Sequence, residues 1–313
     1  MHFQQTLYRV KKGQKNKGLD NQDKETEFTY LKNLIDFNDK YTSRLLDDDD
    51  TCRYKNIRCY KDNYVKISSP HEAINASWIH LPYENCFISA QGPLKNTVDD
   101  FWTMCFDHNI NTVIMLCNCE ENGKEKCEKY WEINDSENDT IKISTELGSN
   151  FVINYTTEQI NDDITIRNIN IRDKEKKENN EKNIKQIHYG SWPDHKSVDL
   201  QSIYGNILFM FNLVDNEIGH NPIVVHCSAG VGRTGTFIAL YNLYRDILNQ
   251  IHDEKNKKIT LNFMNLVRKM KELRMHLVET EDQYNLIGRG AFGLRWWKRP
   301  GHLGPRAPSV LRR

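Results

Sequence analysis

The stretch VHCSAGVGRTG, residues 225–235, constrains this chain more than any other. It grows out of an apolar run, NPIVVH (221–226), that reads as a fully buried strand. It runs into TGTFIALYNLYRDILNQI (234–251), where Phe237, Leu240, Tyr241, Tyr244 and Leu248 share one helical stripe. Between strand and helix lie only small residues, Ser228, Ala229, Gly230, Val231 and Gly232, with the Cys227 thiol before them and the Arg233 guanidinium after. Such a loop can turn successive backbone N–H groups inward, an anion nest at a helix N-terminus whose dipole also favours negative charge. Arg233 adds a planar fork that fits two phosphate oxygens. Helix N-termini and cationic neighbours also favour a thiolate over a thiol. The pattern therefore predicts a phosphate-like dianion presented to a nucleophilic sulfur. A turn whose cysteine merely packs does not call for Cys and Arg bracketing small residues. A nucleotide P-loop is excluded, because no G-x-x-x-x-G-K-[ST] is present.

The rest of the 313 residues reads as one domain with appended ends. Residues 1–23 are polar and lack an apolar face, so they read as an N-terminal arm. From Glu27, the positions Phe28, Leu31, Leu34 and Ile35 follow helical spacing, and Asp47–Asp50 is a like-charge block expected in a solvated loop or helix end. Thr97 before Val98, Asp99 and Asp100 reads as an N-cap, predicting a helix over VDDFWTMCF (98–106). INTVIMLC (110–117) reads as a buried strand. FVINYTTEQI (151–160), DITIRNINI (163–171) and NIKQIHYG (183–190) read as antiparallel strands around a charged tip, DKEKKENNEK (173–182). FMNLVRKMKELR (263–274) is a further amphipathic helix. Residues 288–313, rich in Gly, Arg, Pro and Trp, switch composition abruptly and are set outside the fold as a foreign, fused or frame-shifted segment. The alternative for them is a basic-aromatic peptide that binds a membrane or a partner.

Composition excludes several classes. Lys and Arg balance Asp and Glu to a net charge of zero, so no nucleic-acid partner or anionic membrane surface is expected. No apolar stretch approaches the ~20 residues of a membrane span, and the first twenty residues hold no apolar signal core, so a cytoplasmic location is expected. Of the eight cysteines, Cys52, Cys59, Cys86, Cys105, Cys117, Cys119 and Cys127 read as ordinary small thiols, with no zinc spacing; Cys227 stands apart.

His226-Cys227-x5-Arg233-Thr234-Gly235 resembles the signature loop of the protein tyrosine phosphatases, in particular their tyrosine-specific class. INASWI (74–79), QGPLKNTVDDFWTM (91–104), KCEKYW (126–131), WPD (192–194) and ETEDQY (279–284) resemble other motifs of that class, in the same order, over residues 24–287. The resemblance implies an α/β fold, a twisted and highly mixed central sheet covered by helices on both faces, in a single catalytic domain spanning 24–287. It implies hydrolysis of phosphotyrosine in proteins through a phosphocysteine on Cys227, by a monomer with no metal and no cofactor. Ser228 to Gly232 and Arg233 would then bind the phosphate.

The same resemblance implies further roles, residue by residue. Asp194, in Trp192-Pro193-Asp194, matches a general acid and base on a mobile loop, and a leaving tyrosyl oxygen needs such a proton. After it stands His195-Lys196-Ser197-Val198, where the family runs on to Gly-x-Pro. Tyr54 matches the wall of a deep pocket that the shorter phosphoserine and phosphothreonine cannot fill. Asn56 stands where the family has an aspartate; it can accept a hydrogen bond from a substrate amide, without charge assistance. Thr234 matches a hydroxyl that bonds the leaving thiolate. His226 matches a residue that supports the thiolate from behind, a satisfied core histidine being the alternative. Glu121 and Lys126 match a pair that orients the loop arginine and the acid-bearing loop, the alternative being a solvated charged turn. Glu279 replaces a glutamine that helps place the hydrolytic water, with Gln283 the second glutamine of that motif. Negative charge there is expected to slow phosphocysteine breakdown more than attack by Cys227.

Two other functions stay open. A phosphotyrosine-binding pseudo-phosphatase with little turnover is kept alive by Glu279, Asn56 and the tail, although such relatives lose the cysteine, arginine or acid that this chain retains. A lipid or dual-specificity phosphatase is disfavoured by Tyr54 and the WPD motif. The Asn/Lys/Ile-rich body also resembles tyrosine phosphatases of parasitoid-wasp bracoviruses, which implies action on phosphotyrosine proteins in the cytoplasm of an infected host cell.

Overall fold

The computed structural model describes residues 26–297, apart from 37, 48–49, 82–85, 133–140, 143–150, 179, 193–199, 218–220 and 253–258. Along it run α1 (Glu27–Leu31), α2 (Asp39–Thr42), β1 (Tyr64–Lys66), β2 (Ala73–His80), β3 (Cys86–Ala90), α3 (Val98–Asp107) and β4 (Thr112–Met115). Then come β5 (Glu120–Glu121), β6 (Lys124–Glu125), β7 (Ile141–Lys142), β8 (Phe151–Gln159), β9 (Ile164–Asp173) and β10 (Glu181–Tyr189). The last elements are α4 (Leu200–Glu217), β11 (Ile223–His226), α5 (Gly232–His252), α6 (Phe263–Leu273) and α7 (Glu281–Trp297).

Every side chain of β4 and β11 is buried, so at its centre the sheet is covered on both faces. The nine-stranded order is β1-β2-β3-β11-β4-β10-β9-β8-β7, with β5 and β6 forming a separate hairpin. β11 runs parallel to both β3 and β4, and β10 runs parallel to β4. The flanks are antiparallel, including the β8-β9-β10 meander read from the sequence. A parallel centre needs crossover connections, which α3 and α4 supply. The mixed sheet is the one the resemblance implied.

Three local expectations change. Thr97 does not cap α3 through its side chain; its Oγ1 instead accepts from Leu94 N and donates to Leu94 O, bracing the 3-10 turn before the helix. The α5 stripe understates its burial, because Gly232–Tyr244 is buried throughout. Thr236 and Asn242 make this tolerable by donating back to the carbonyls of Gly232 and Ile238, both at 2.9 Å. The tail boundary also moves. α7 continues to Trp297, past the expected boundary at 287, and Gly288 and Gly290 on it are buried. Tyr284 packs against Phe28 and Phe263, Ile287 is buried, and a side chain at Gly288 would press on the Phe263 ring. Tertiary packing here overrides the low helix propensity of glycine, which had hidden the helix. The arm 1–23, the acids Asp48 and Asp49, and residues 298–313 lie outside the described residues.

A π-helical turn, Lys32–Asp36, brings Asp36 beneath α6. There Lys271 Nζ meets Asp36 Oδ2 at 2.7 Å, both side chains having no solvent exposure. His276 N donates to Asp36 Oδ1 at 3.1 Å, and His276 Nδ1 lies 3.4 Å from Oδ2. Burial works to raise the Asp36 carboxyl, but His276 and Lys271 outweigh it and hold the group below the usual carboxylate range. Burial lowers Lys271. The short contact and the extra bond from His276 N favour the ion pair. Because Asp36 titrates lower folded than unfolded, its contribution is present above about pH 4 and is lost as pH falls through the folded value. Asp36→Asn is expected to cost about 3–5 kcal/mol in urea unfolding, by leaving Lys271 buried without its counter-charge. Replacing both residues by Leu and Met should restore most of that loss. A cost below about 1 kcal/mol would mean the pair behaves as a surface one.

Candidate active site

β11 ends at His226 and α5 begins at Gly232, so the small-residue loop sits at the end of the central parallel strand. What shapes it is the fate of its carbonyls. Ser228 O accepts from Gly92 N, Ala229 O from Arg274 Nη2, and Gly230 O from both Arg274 Nε and Ser89 Oγ. Val231 O accepts from Val278 N and Gly235 N, and Gly232 O from Thr236 Oγ1. In a trans peptide the following N–H points opposite to the carbonyl. Pulling each carbonyl outward therefore turns the next amide inward. The N–H groups of Ser228, Ala229, Gly230 and Val231 donate to nothing among the described residues. Unpaired donors at a helix N-terminus are an anion site.

Two glycines permit this path. Gly230 has φ +68°, and a Cβ there would fall 2.1 Å from Ala90 O. At Gly232 a Cβ would lie 2.7 Å from Gln283 Nε2 and 3.1 Å from Glu279 Oε2. Glu279 and Gln283 therefore lie directly over the loop. Gln283 Oε1 accepts from Glu279 N at 2.9 Å and from Thr280 N at 3.2 Å, which fixes the start of α7.

Arg233 is almost fully buried and is held by a two-pronged contact with Glu121, Nη1–Oε1 at 2.7 Å and Nη2–Oε2 at 3.0 Å. Its Nη1 also donates to Trp192 O at 3.2 Å. Burial works to lower the guanidinium pKa, but the Glu121 bond, with Cys227 and Cys117 adding, raises it above its ordinary value. Glu121 is thus no solvated turn residue: the β5–β6 hairpin delivers it to Arg233. Cys227 is buried, as are Ser228, Val231, Gly232 and Trp192. Thr234 has no exposure, and its hydroxyl has no hydrogen-bond partner among the described residues. Tyr54 OH meets Ser228 Oγ at 2.9 Å, which brings the aromatic to the loop rim, with Asn56 exposed beside it. Lys126 is half-buried in the strand-flanking turn, its N donating to Cys119 O. His226 is fully buried, with Tyr130 OH 2.8 Å from its Nε2. Asp194 lies outside the described residues.

Several supporting residues escaped the sequence reading. Arg274 has no exposure and no carboxylate partner among the described residues; besides the two loop carbonyls it binds Asn75 Oδ1, Ser77 Oγ and Cys59 Sγ. Its only sequence signal is a lone arginine in LRMHLV, five residues before Glu279. Arg53 holds the Tyr54 segment through Gly92 O, Pro93 O and Glu125. Cys117 is a free buried thiol whose neighbours shift it. A hydrogen bond with Cys127, joined by His226 and Arg233, pulls it down to about 6, while burial pushes Cys127 up.

Arg274→Met is expected to weaken vanadate binding by about tenfold, roughly 1.4 kcal/mol. Arg274→Lys should not restore it, since one ammonium cannot replace a planar fork that spans two carbonyls and Asn75. Titration calorimetry decides the point. Unchanged affinity in Arg274→Met would mean the loop holds its shape unaided.

With the geometry in place, the chain can be set beside known proteins. Residues 48–291 match the family model for protein-tyrosine phosphatase. The chain is 33% identical over 274 residues to receptor-type tyrosine-protein phosphatase eta of Gallus gallus, covering 84% of this chain and 18% of that protein. It is 38% identical over 215 residues to tyrosine-protein phosphatase 2 of Dictyostelium discoideum, covering 67% of this chain and 52% of that one. It therefore spans only part of these relatives' lengths. In fold it resembles solved PTPN18, with TM-score 0.72 at 24% identity over 86% of this chain and 94% of that chain. A second PTPN18 structure of equal similarity is a complex with HER2 phosphopeptides. These matches lend no support to a bracovirus origin. Among the described residues no helix is long and apolar enough to cross a membrane. The loop, the clamp around it and the sheet beneath agree with these likenesses: the chain belongs to the protein-tyrosine phosphatase family.

Proposed function

We propose that this chain hydrolyses phosphotyrosine in proteins by a two-step route through a phosphocysteine. The observation that carries the reading is the set of unpaired amides of Ser228–Val231, beside the Arg233 fork and adjoining Cys227. In the first step Cys227 Sγ attacks phosphorus and the bond from phosphorus to the tyrosyl oxygen breaks. Asp194 gives its proton to that oxygen. In the second step the Asp194 carboxylate takes a proton from water, the water oxygen attacks phosphorus, and the S–P bond breaks to free phosphate and the thiolate. The loop amides and Arg233 hold the three equatorial oxygens throughout. Thr234, buried with its hydroxyl uncommitted, is a donor for the departing thiolate. Tyr54 at the rim sets the depth that favours phosphotyrosine. The described cysteines are all free, which fits a reducing compartment such as the cytoplasm.

Cys227→Ser is expected to abolish turnover of a phosphotyrosine peptide while retaining its binding, because the cradle and Arg233 remain. Arg233→Lys should lose both rate and affinity, since a point charge cannot make the forked contact. Substantial turnover by Cys227→Ser would remove the nucleophile assignment. The same activity should persist in EDTA.

One observation favours a slow-turnover version of the same chemistry. Glu279 Oε2 lies 3.1 Å from where a side chain at Gly232 would begin, which supports a carboxylate close to the phosphate-binding loop. Like charge there should hinder arrival of the nucleophilic water. Rapid-quench kinetics are expected to give a burst of tyrosine peptide followed by slow hydrolysis. Glu279→Gln should raise the steady-state rate about tenfold, the equivalent of ~1.4 kcal/mol, and shrink the burst. Identical burst and steady-state rates in the two proteins would show that this carboxylate has no part in turnover.

A further inference from the structure

An unbroken chain of hydrogen bonds joins the outer part of the sheet to the candidate nucleophile. Arg167 Nη1, on β9, donates to Gln186 Oε1 at 2.7 Å. Gln186 Nε2, on β10, lies 2.6 Å from Tyr130 OH, and that hydroxyl lies 2.8 Å from His226 Nε2. His226 Nδ1 in turn lies 3.2 Å from Cys227 O. Gln186, Tyr130 and His226 are fully buried, whereas Arg167 is half-exposed, its guanidinium 4.3 Å over the Trp131 ring.

We infer that Arg167 is a positioning residue for Cys227, acting through Gln186, Tyr130 and His226; the inference rests on the reading of Cys227 as nucleophile. The direction of every link follows from the first. A guanidinium has donors only, so the Gln186 oxygen must face it and the Gln186 amide nitrogen must face Tyr130. That nitrogen donates, so Tyr130 OH accepts there and has its own proton free for His226. The competing acceptor, Met115 Sδ, is 4.0 Å from the hydroxyl, against 2.8 Å for His226 Nε2. With Nε2 accepting, the neutral imidazole carries its proton on Nδ1, where it donates to Cys227 O. Flip any link, and an Nδ1 lone pair would face a carbonyl lone pair instead.

That last bond reaches the chemistry through one peptide plane. Cys227 O belongs to the same trans peptide as the Ser228 N–H, which points the opposite way. Holding the carbonyl toward His226 aims the Ser228 amide into the anion nest, where it favours negative charge on a neighbouring sulfur or a bound phosphate.

The surroundings leave this role to Arg167. His188, the other ring beside it, receives from Arg167 Nη1 on Nδ1 at 3.4 Å and donates from Nε2 to Cys117 O at 2.9 Å. Burial, aided by Arg167, pushes His188 down to about 4, so it stays a neutral acceptor. Glu132, Tyr155, Cys119 and Tyr130 also face Arg167 electrostatically. At the inner end, Cys117 bonds His226, and Arg233 with Glu121 lies across the loop. Among the described residues no carboxylate pairs with His226, so apart from the Cys117 sulfur its ring answers to the chain from Arg167.

The test follows alkylation of Cys227 by iodoacetamide against pH in the full chain, read at the Cys227 peptide by mass spectrometry. This measures the sulfur without needing turnover. Arg167→Met is expected to raise the alkylation midpoint by about half to one pH unit, a roughly three- to tenfold slower reaction below it. Arg167→Lys, which keeps a cationic donor, should recover most of the shift. Gln186→Leu should reproduce it, and the double variant should add nothing further, because both break one chain. A midpoint unmoved in Arg167→Met and Gln186→Leu would overturn the inference, as would shifts that add in the double variant. If wild-type Cys227 reacts no faster than Cys52, the nucleophile reading fails, and this inference falls with it. Fast wild-type alkylation that ignores Arg167 removes the positioning role alone.

Discussion

The outward pull on the loop carbonyls is the constraint on which the rest of the site depends. A run of small residues has no side chains with which to hold a curved path, so its shape must be imposed from outside. Gly92 from the end of β3, Ser89 within β3, Arg274 after α6 and Val278 before α7 each take a carbonyl of the loop. Two segments far apart in sequence, 89–92 and 274–278, thus converge on the same few peptide units. Their combined effect is electrostatic: carbonyl dipoles leave the pocket and amide dipoles enter it. Preorganised dipoles of this kind act without rearrangement when charge arrives. The buried Asp36–Lys271 pair belongs to the same scaffold, because Asp36 also accepts from His276 N, two residues before Val278.

Charge at the site is arranged in tiers. Arg233 adjoins the loop, its two terminal nitrogens fixed by Glu121. Arg274 lies behind the loop with only neutral partners and one thiol, a second cation whose field is not cancelled by a described carboxylate. Glu279 opposes both from the α7 side. Under the proposed mechanism this balance would favour capture of a phosphoryl dianion and the departure of tyrosine. It would work against the later approach of water. Cys117, its pKa drawn down by the hydrogen bond with Cys127, is a further buried thiol that interacts with His226 and Arg233.

Much of this was legible in the sequence, and the reasons are physical. Cys227, Arg233 and the small residues between them occupy one contiguous stretch, so their chemistry could be read from local spacing. Buried strands such as Ile223–His226 announce themselves by an apolar run of the right length. Arg274 could not be found that way, since its partners Cys59, Asn75, Ser77, Ala229 and Gly230 come from distant segments. Arg167 and Gln186 read as ordinary polar positions on alternating strands, and only the β9–β10 register joins them. α7 was missed past Ile287 because glycine-rich composition argues against helix, whereas packing on Phe263 decides for it. Glu279 and Gln283 were picked out by resemblance, but only the fold shows that they overhang Gly232.

The central claim is that the nest of inward amides exists to hold a phosphoryl group while it sits on Cys227. Acid-quenching the chain within the first turnover of a phosphotyrosine peptide, then mapping the modified residue by mass spectrometry, tests this most directly. The account predicts one phosphoryl group on the peptide that contains Cys227, accumulating before phosphate appears in solution. A phosphoryl group on any other residue, or free phosphate released with no covalent species on Cys227 at any time, would contradict it.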